Sequence, residues 1–196
     1  METHNTNLMH LCLFMLLGVS FAFAQVPKNM VQINAGSYVP LYGTDNKLPV
    51  KVDAFLIDIY PVTNYDYLNF VKNYPEYRKS KIKRIFANTS YLSEWTNDLN
   101  FGKLNPKSPV TNVSWFTAKK YCECQGKRLA TMDEWEYVAM ADEKRIDARS
   151  KEEFNKYILA WYEKNKTYTN TVGQTYKNYW GVYDMHGLVW EWTYDF

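Results

Sequence analysis

The chain has 196 residues, including 17 Tyr, 10 Phe and 7 Trp, and its 23 Lys and Arg nearly balance its 21 Asp and Glu. This balance gives no reason to expect nucleic acid or an anionic membrane surface as a partner. Of the three histidines, His4 and His10 lie in an apolar front end and only His186 lies beyond it. A metal site built from several imidazoles is therefore excluded for the rest of the chain.

Residues 1–24 are predicted to be a secretory signal peptide. The apolar run "LMHLCLFMLLGVSFAFA" ends in Ala22-Phe23-Ala24, the pattern of a secretory cleavage site. No Lys or Arg precedes the run, so an uncleaved anchor is the alternative, although the run is slightly short for a membrane span. We therefore expect a secreted or periplasmic protein, with membrane contact only through an uncleaved signal. Its remaining residues, 25–196, have the length of one ordinary domain.

The first part of this domain is predicted to contain strands followed by a helix. Residues 30–43 are rich in β formers with a Gly-Ser turn at 36–37, and residues 48–63 alternate apolar and polar side chains, so both stretches are interpreted as strands. Thr63 or Asn64 is then expected to cap a helix that buries one apolar face. The long stretch 74–110, with its Pro, Asn and Ser residues, is predicted to be a loop.

Three more helices are predicted downstream. One begins after Ser114 and ends at Gly126, where a glycine favours the end of a helix. Another begins at Thr131, which forms a capping box with Glu134, and a third is expected to begin with a capping box at Ser150. Together with the strands and long loops, these helices predict an α+β domain.

Four collinear stretches resemble the formylglycine-generating enzyme (sulfatase-modifying factor) family. They are "MVQINAGSYVP", "VDAFLIDIYPVTNYDYLNFV", "PVTNVSWFTAKKYCECQGKRLATMDEWEYVA" and "GVYDMHGLVWEW". The resemblance covers about residues 30–196 and implies a variant of the C-type lectin-like fold. It does not establish catalysis, because Trp115, Trp135 and Tyr137 in these motifs are expected to face a core, and Arg128 is expected to pair with Glu134 or Glu136.

The stretch "GVYDMHGLVWEW" carries a candidate calcium site. Asp184 and Glu191 supply carboxylates, and Gly187 and Val189 supply backbone carbonyls, all within eight residues. Calcium takes about six to eight such oxygens, and the family resemblance implies the same four ligands. The alternative is that the two acidic residues cap turns and bind Arg128 or backbone amides.

The family resemblance also implies a reaction, the oxidation of a peptide cysteine to formylglycine by O₂ with copper(I) held by two thiolates. Thiolates suit this soft ion. The resemblance places those cysteines after the Trp-Glu-Trp motif, and residues 25–196 contain only Cys122 and Cys124. Residues two apart on a helix point about 200° from each other, so this pair is not expected to hold one ion. No residue of the chain is therefore predicted to be catalytic.

Two functions stay open from the sequence. The first is an exported formylglycine-generating oxidoreductase that acts on a cysteine-containing peptide or protein, inactive as given because its C-terminal part is incomplete. The second is a non-catalytic, lectin-like binding or accessory module with a protein partner in the cell envelope. An open reading frame with two cysteines beyond codon 196 would favour the enzyme.

Trp190 is the candidate substrate-binding residue, because the family resemblance places it in the substrate groove. Leu188, Trp190 and Trp192 cannot all point inward from one short segment. The resemblance therefore predicts that the domain at residues 25–196 is truncated at its C-terminal end, with Trp190 partly exposed and the chain marginally stable or prone to aggregate.

Overall fold

A computed structural model describes residues 26–41 and 48–195. The predicted signal peptide lies outside these described residues. The architecture is mixed α and β, with two small sheets, four α-helices and long irregular connections within the described ranges. In the same ranges, no helix has the combination of length and apolar character needed to cross a membrane.

The four described strands form two antiparallel pairs in a nested order. The outer pair joins β1 (Met30–Ile33) to β4 (Phe55–Asp58), and the inner pair joins β2 (Gly36–Tyr38) to β3 (Val50–Val52). Each stretch interpreted as a strand region thus provides two short strands.

The predicted turn at Gly36-Ser37 is wrong, because both residues lie inside β2 and the break between β1 and β2 falls at residues 34–35. Gly36 is needed for a close approach: a Cβ at this position would lie 2.2 Å from the Tyr137 hydroxyl oxygen. Glycine in a strand commonly marks such a contact.

Three helices begin where their capping residues predict. They are α1 (Asn64–Asn73), α2 (Trp115–Cys124) and α3 (Met132–Ala139), preceded by Thr63, Ser114 and Thr131. Each hydroxyl side chain accepts a hydrogen bond from the backbone N–H three residues ahead, and the residue at that position bonds back to the capping residue. This reciprocal arrangement satisfies backbone donors that a helix start leaves free.

The fourth helix, α4 (Glu152–Tyr162), begins later than predicted. The capping box at Ser150 is wrong, since Lys151 is the N-cap and makes no side-chain capping bond. The Lys151 ammonium group instead pairs with the buried carboxylate of Asp142. This ion pair spans nine positions and joins the start of α4 to the loop that follows α3.

Two hydrophobic clusters support these elements. The first, which we call the strand cluster, packs the paired strands against α3 and includes Ile33, Tyr137 and Val138. The second, which we call the aromatic cluster, packs α1 against the loop predicted at 74–110 and includes Tyr67, Phe70, Tyr91, Leu92 and Trp95. That loop contains one short 3₁₀ helix, Pro75–Tyr77, and otherwise follows an irregular course. Its backbone is held in place by buried aromatic side chains.

Candidate functional site

An open, largely apolar cleft of about 630 Å³ lies between β4, the C-terminal half of α2 and the segments 127–130 and 182–192. Its wall includes Leu56, Tyr60, Val113, Leu129, Val189, Trp190 and Trp192. An ion pair of 2.6 Å between Lys127 and Asp58 joins two sides of the cleft. The cleft is therefore an apolar surface with charged groups at its edge.

The segment 188–192, which we call the indole segment, divides its side chains between core and solvent. Leu188 is buried, whereas Trp190 is 86% exposed and Trp192 is 40% exposed. The Trp192 indole N–H donates to the Val113 carbonyl at 2.9 Å, and the Trp190 ring lies 5.7 Å from the ring of Tyr162. The exposure expected for Trp190 is thus present, and its indole lines the cleft.

Two tryptophans that were expected in the core instead bridge to the C-terminal segment. Trp115 and Trp135 are only partly buried, while Tyr137 is buried as predicted. The Trp115 indole N–H donates to the Thr193 carbonyl at 2.8 Å, and that of Trp135 donates to the Glu191 carboxylate at 2.7 Å. A buried or half-buried indole needs a partner for its N–H, and here the C-terminal segment supplies it.

Asp184 is buried and organises the turn that precedes the indole segment. Its φ of 62° is in the left-handed region, and its carboxylate accepts the backbone N–H groups of Gly173 and Thr175. The Asp184 N–H in turn donates to the Thr175 hydroxyl at 2.8 Å. These contacts match the turn-capping alternative and leave further lone pairs on the carboxylate oxygens.

Glu191 lies at the cleft with an unusual titration. Glu191 is an exposed residue, and partial desolvation of its carboxyl group by the surrounding protein atoms raises its pKa to about 7. The Trp135 hydrogen bond opposes the shift, and the negative charge of Asp184 adds to it. Asp184 and Glu191 are thus close enough to repel each other. Among the described residues neither carboxylate forms an ion pair.

Arg128 does not neutralise either member of this pair. Its guanidinium group binds Glu134 through two hydrogen bonds of 2.6 Å, which is one of the two partners predicted for it. The carboxylate of Glu134 also accepts the Thr131 N–H at 2.8 Å. Burial opposes the ionisation of Glu134, but these donors hold its pKa below the usual value.

The remaining predicted calcium ligands, Gly187 and Val189, lie on the same segment. Gly187 has a φ of 109°, and a Cβ there would lie 2.4 Å from the ring of Trp161 on α4. The Lys164 ammonium group covers that ring at 3.8 Å from its centroid. Helix α4 therefore packs directly on the candidate site.

No three His, Cys, Asp or Glu side chains form a metal-binding group within residues 26–41 and 48–195. A site that draws half of its ligands from backbone carbonyls would not meet that criterion. The negative charge of Asp184 adds to the raised pKa of Glu191, and a cation bound by both carboxylates would relieve this repulsion. These residues therefore fit part of a calcium site.

The two cysteines do not fit a shared copper ion. Both are on α2 and are free, but Cys122 lines the cleft while Cys124 packs against the aromatic cluster. Burial raises the pKa of the Cys122 thiol to about 11, so it is protonated at neutral pH. A copper(I) site needs two sulfurs that point at one ion, and these two lie on different sides of α2.

Sequence reasoning did not identify the contribution of α4 to this site. The capping pattern at Ser150 predicts a helix in this region, but nothing in the sequence marks Trp161 or Tyr162 as a neighbour of the indole segment. Tyr162 is 63% exposed and reaches Trp190, while Trp161 covers Gly187. A glycine with an aromatic neighbour in space leaves no local signal in the sequence.

Comparison with known proteins places the chain in one family. The sulfatase-modifying factor enzyme 1-like domain matches residues 19–196. The chain is 30% identical to the inactive C-alpha-formylglycine-generating enzyme 2 of Bos taurus, covering 84% of the chain and 70% of that protein. It is 27% identical to the formylglycine-generating enzyme of Bos taurus, covering 86% and 58% respectively.

A further relative is the serine/threonine-protein kinase pkn1 of Chlamydia pneumoniae, 30% identical over 85% of the chain. The chain spans only 27% of the length of that protein. The shared region is thus a small part of the kinase-named relative and more than half of each Bos taurus relative.

Proposed function

The chain belongs to the sulfatase-modifying factor family, and we propose that it is an exported member that binds a polypeptide segment in the cleft without oxidising it. The ligand is a cysteine-containing peptide or an envelope protein with an exposed segment. The finer assignment of the fold, a variant of the C-type lectin-like fold, belongs to the same proposal and agrees with the short strands and long loops.

The exposed indole of Trp190 carries this proposal. A tryptophan at 86% exposure is unusual for a residue that lines a largely apolar cleft. Exposed aromatic side chains beside a concave apolar surface mark interaction sites, and tryptophan is enriched among residues that dominate binding. The cleft is partly open to solvent, which suits a polypeptide segment better than a small enclosed ligand.

The arrangement of the cysteines supports binding over oxidation by this chain. Cys122 and Cys124 point to different sides of α2, and the Cys122 thiol is protonated. The relative named as an inactive formylglycine-generating enzyme is compatible with a member that binds without catalysis.

A labelled peptide tests both parts. A fluorescein-labelled peptide with a Cys-x-Pro-x-Arg sequence is expected to gain anisotropy on addition of the chain, and Trp190→Ala is expected to weaken binding about tenfold or more. Tyr65→Ala, which removes a half-exposed aromatic side chain of α1 that does not line the cleft, is the control. Mass spectrometry of the same peptide with added copper and O₂ is expected to show no mass shift at cysteine. A shift that depends on the chain would contradict the non-catalytic part, and no anisotropy change would contradict the binding part.

We also propose calcium as a structural cofactor of the indole segment. Asp184, Glu191 and the carbonyls of Gly187 and Val189 would hold it, and its charge would relieve the repulsion between the two carboxylates. A ligand that binds only the native state adds about 2.7 kcal/mol at 100 times its dissociation constant. Calcium is therefore expected to raise the melting midpoint of the wild-type chain and to lose this effect in Glu191→Gln. Equal shifts in both proteins, or none in either, would return the two residues to turn capping.

A further inference from the structure

The turn at residues 81–86 gathers cations and apolar side chains on one exposed surface. Its sequence is Lys-Ile-Lys-Arg-Ile-Phe, and Lys83 and Arg84 are both exposed. Ile85 is 76% exposed and Phe86 is 40% exposed, and the half-exposed ring of Phe116 on α2 lies 5.8 Å from the Phe86 ring. We call these five residues, Lys83, Arg84, Ile85, Phe86 and Phe116, the basic-apolar patch.

The patch is held in place by the fold. The Phe86 N–H donates to the Lys83 carbonyl at 2.8 Å, which closes the turn. The Ser114 hydroxyl donates to the Phe86 carbonyl at 2.5 Å, which fixes the turn to the start of α2. The apolar side chains are thus presented outward from a defined backbone and are not collapsed onto the neighbouring surface.

The cations of the patch are uncompensated. Arg78 and Lys79, just before the turn, donate to backbone carbonyls. Lys81 has an acidic neighbour in Asp98. The pKa of Asp98 is lowered chiefly by hydrogen bonds from Ser80 and to a smaller extent by the positive charges of Arg78 and Lys81. Within the described residues Lys83 and Arg84 have no ion pair or side-chain hydrogen bond. The near-neutral total charge of the chain conceals this local excess.

The shape of the patch favours a flat partner. A second pocket, lined by residues that include Ser80 and Asp98, lies near the turn. Residues 81–86 and Phe116 line neither this pocket nor the cleft. A bound peptide would need a groove to bury its side chains, whereas a lipid headgroup layer can receive a protruding apolar tip. Cations beside that tip match the charge of anionic lipids.

We propose that the basic-apolar patch docks the chain on an anionic lipid surface. Ile85, Phe86 and Phe116 enter the headgroup layer, while Lys83 and Arg84 meet lipid phosphates. This contact is separate from the cleft, so the cleft stays open to a polypeptide while the chain is on the surface.

Vesicle co-sedimentation tests the proposal. The wild-type chain is expected to sediment with equimolar phosphatidylcholine–phosphatidylglycerol vesicles and not with pure phosphatidylcholine, and added salt is expected to release it. Lys83→Glu with Arg84→Glu is expected to weaken partitioning at least about 20-fold, since two cations near the surface are lost. Lys144→Glu with Arg145→Glu is the matched control, because these residues are also an adjacent, exposed Lys-Arg pair, and it is expected to bind like the wild type.

A second variant separates the apolar contribution. Ile85→Ser is expected to weaken partitioning several-fold while keeping its salt dependence, because the cations are unchanged. Circular dichroism melts of all variants check that the fold is retained. Equal sedimentation with both vesicle types, or unchanged binding in the Lys83 and Arg84 double variant, overturns the proposal. Binding to soluble polyglutamate in place of vesicles also overturns it, in favour of an acidic polypeptide.

Discussion

The aromatic cluster and the indole segment use the same residue types for opposite purposes. In the aromatic cluster Tyr67, Tyr91 and Trp95 are 1–3% exposed. Their polar atoms are paired: the two tyrosine hydroxyls lie 2.9 Å apart, and the Trp95 indole N–H donates to Asn64 at 3.0 Å. In the indole segment Trp190 is 86% exposed.

This difference separates aromatic side chains that stabilise the fold from one that we propose to bind a ligand. Buried aromatics with satisfied polar atoms hold an irregular loop without regular hydrogen-bonded structure. An aromatic left in solvent on a well-anchored segment contributes little to folding and is available to a ligand. Matched substitutions in the two regions should therefore differ in their effect on the free energy of unfolding.

The largest effect is expected in the aromatic cluster. Trp95→Ala removes a buried ring that contacts Tyr67 and Phe101 and leaves the side-chain amide oxygen of Asn64 without its donor. We expect a loss of about 3–5 kcal/mol in the free energy of unfolding, measured by urea titration. A loss below about 1 kcal/mol would mean that the aromatic cluster does not support the fold as described.

A smaller loss of stability is expected where α4 packs on Gly187, just before the indole segment. Gly187→Ala forces a Cβ to within 2.4 Å of the Trp161 ring at a φ of 109°, so we expect a loss of about 2–3 kcal/mol. Gly181→Ala is the matched control, because its φ of 91° is also outside the region that L residues favour, while its nearest atom, Val31 Cγ1, lies at an ordinary contact distance of 3.6 Å. Thermal melts compare the two. Equal losses would show that the Trp161 contact has no energetic role.

A still smaller loss of stability is expected for Glu134, at the edge of the cleft. Glu134→Gln removes a carboxylate that Arg128 and Thr131 stabilise, and because Arg128 is more than half exposed we expect a loss of only about 1 kcal/mol near neutral pH. The folded-state pKa of Glu134 is lowered, so its stabilisation is present above the usual carboxyl pKa and disappears as the pH falls through the lower folded value. Urea titrations from neutral to acidic pH should show the two proteins converging. A difference that persists in strong acid would contradict this account.

The smallest stability effect is expected at Trp190. Trp190→Ala, the same substitution as at Trp95, should change the free energy of unfolding by less than about 0.5 kcal/mol, because the side chain is mostly in solvent. Urea titration of the two variants side by side measures the contrast. A loss comparable to that of Trp95→Ala would show that Trp190 is a structural residue.

Local signals were readable from the sequence, and long-range contacts were not. In α1, α2 and α3 the capping residue and the residue that bonds back to it are three positions apart, so the start of each helix can be read locally. The Arg128–Glu134 pair likewise spans only six positions. The turn predicted at Gly36 failed because its neighbour, Tyr137, is about a hundred residues away. The predicted start of α4 is wrong because Lys151, one residue after the expected cap, pairs with the buried Asp142 nine positions away, a contact that the capping pattern does not include.

The candidate site shows the same limit. The sequence indicated Asp184, Glu191 and Trp190 because they lie in one short motif. It could not indicate that Trp135 donates to Glu191 across 56 positions or that α4 brings Tyr162 to Trp190. Half-burial of Trp115 and Trp135 was likewise missed, because helical periodicity identifies an inward face but not what that face meets.

The accessibility of Trp190 to a quencher, with and without peptide, tests the central claim most directly. Subtracting the fluorescence of Trp190→Phe from that of the wild type isolates this one indole among the seven tryptophans. The account predicts strong acrylamide quenching of Trp190 in the free chain and marked protection when the Cys-x-Pro-x-Arg peptide saturates the cleft. Quenching that is weak in the free chain, or unchanged at saturating peptide, would contradict the role of Trp190 as a binding residue.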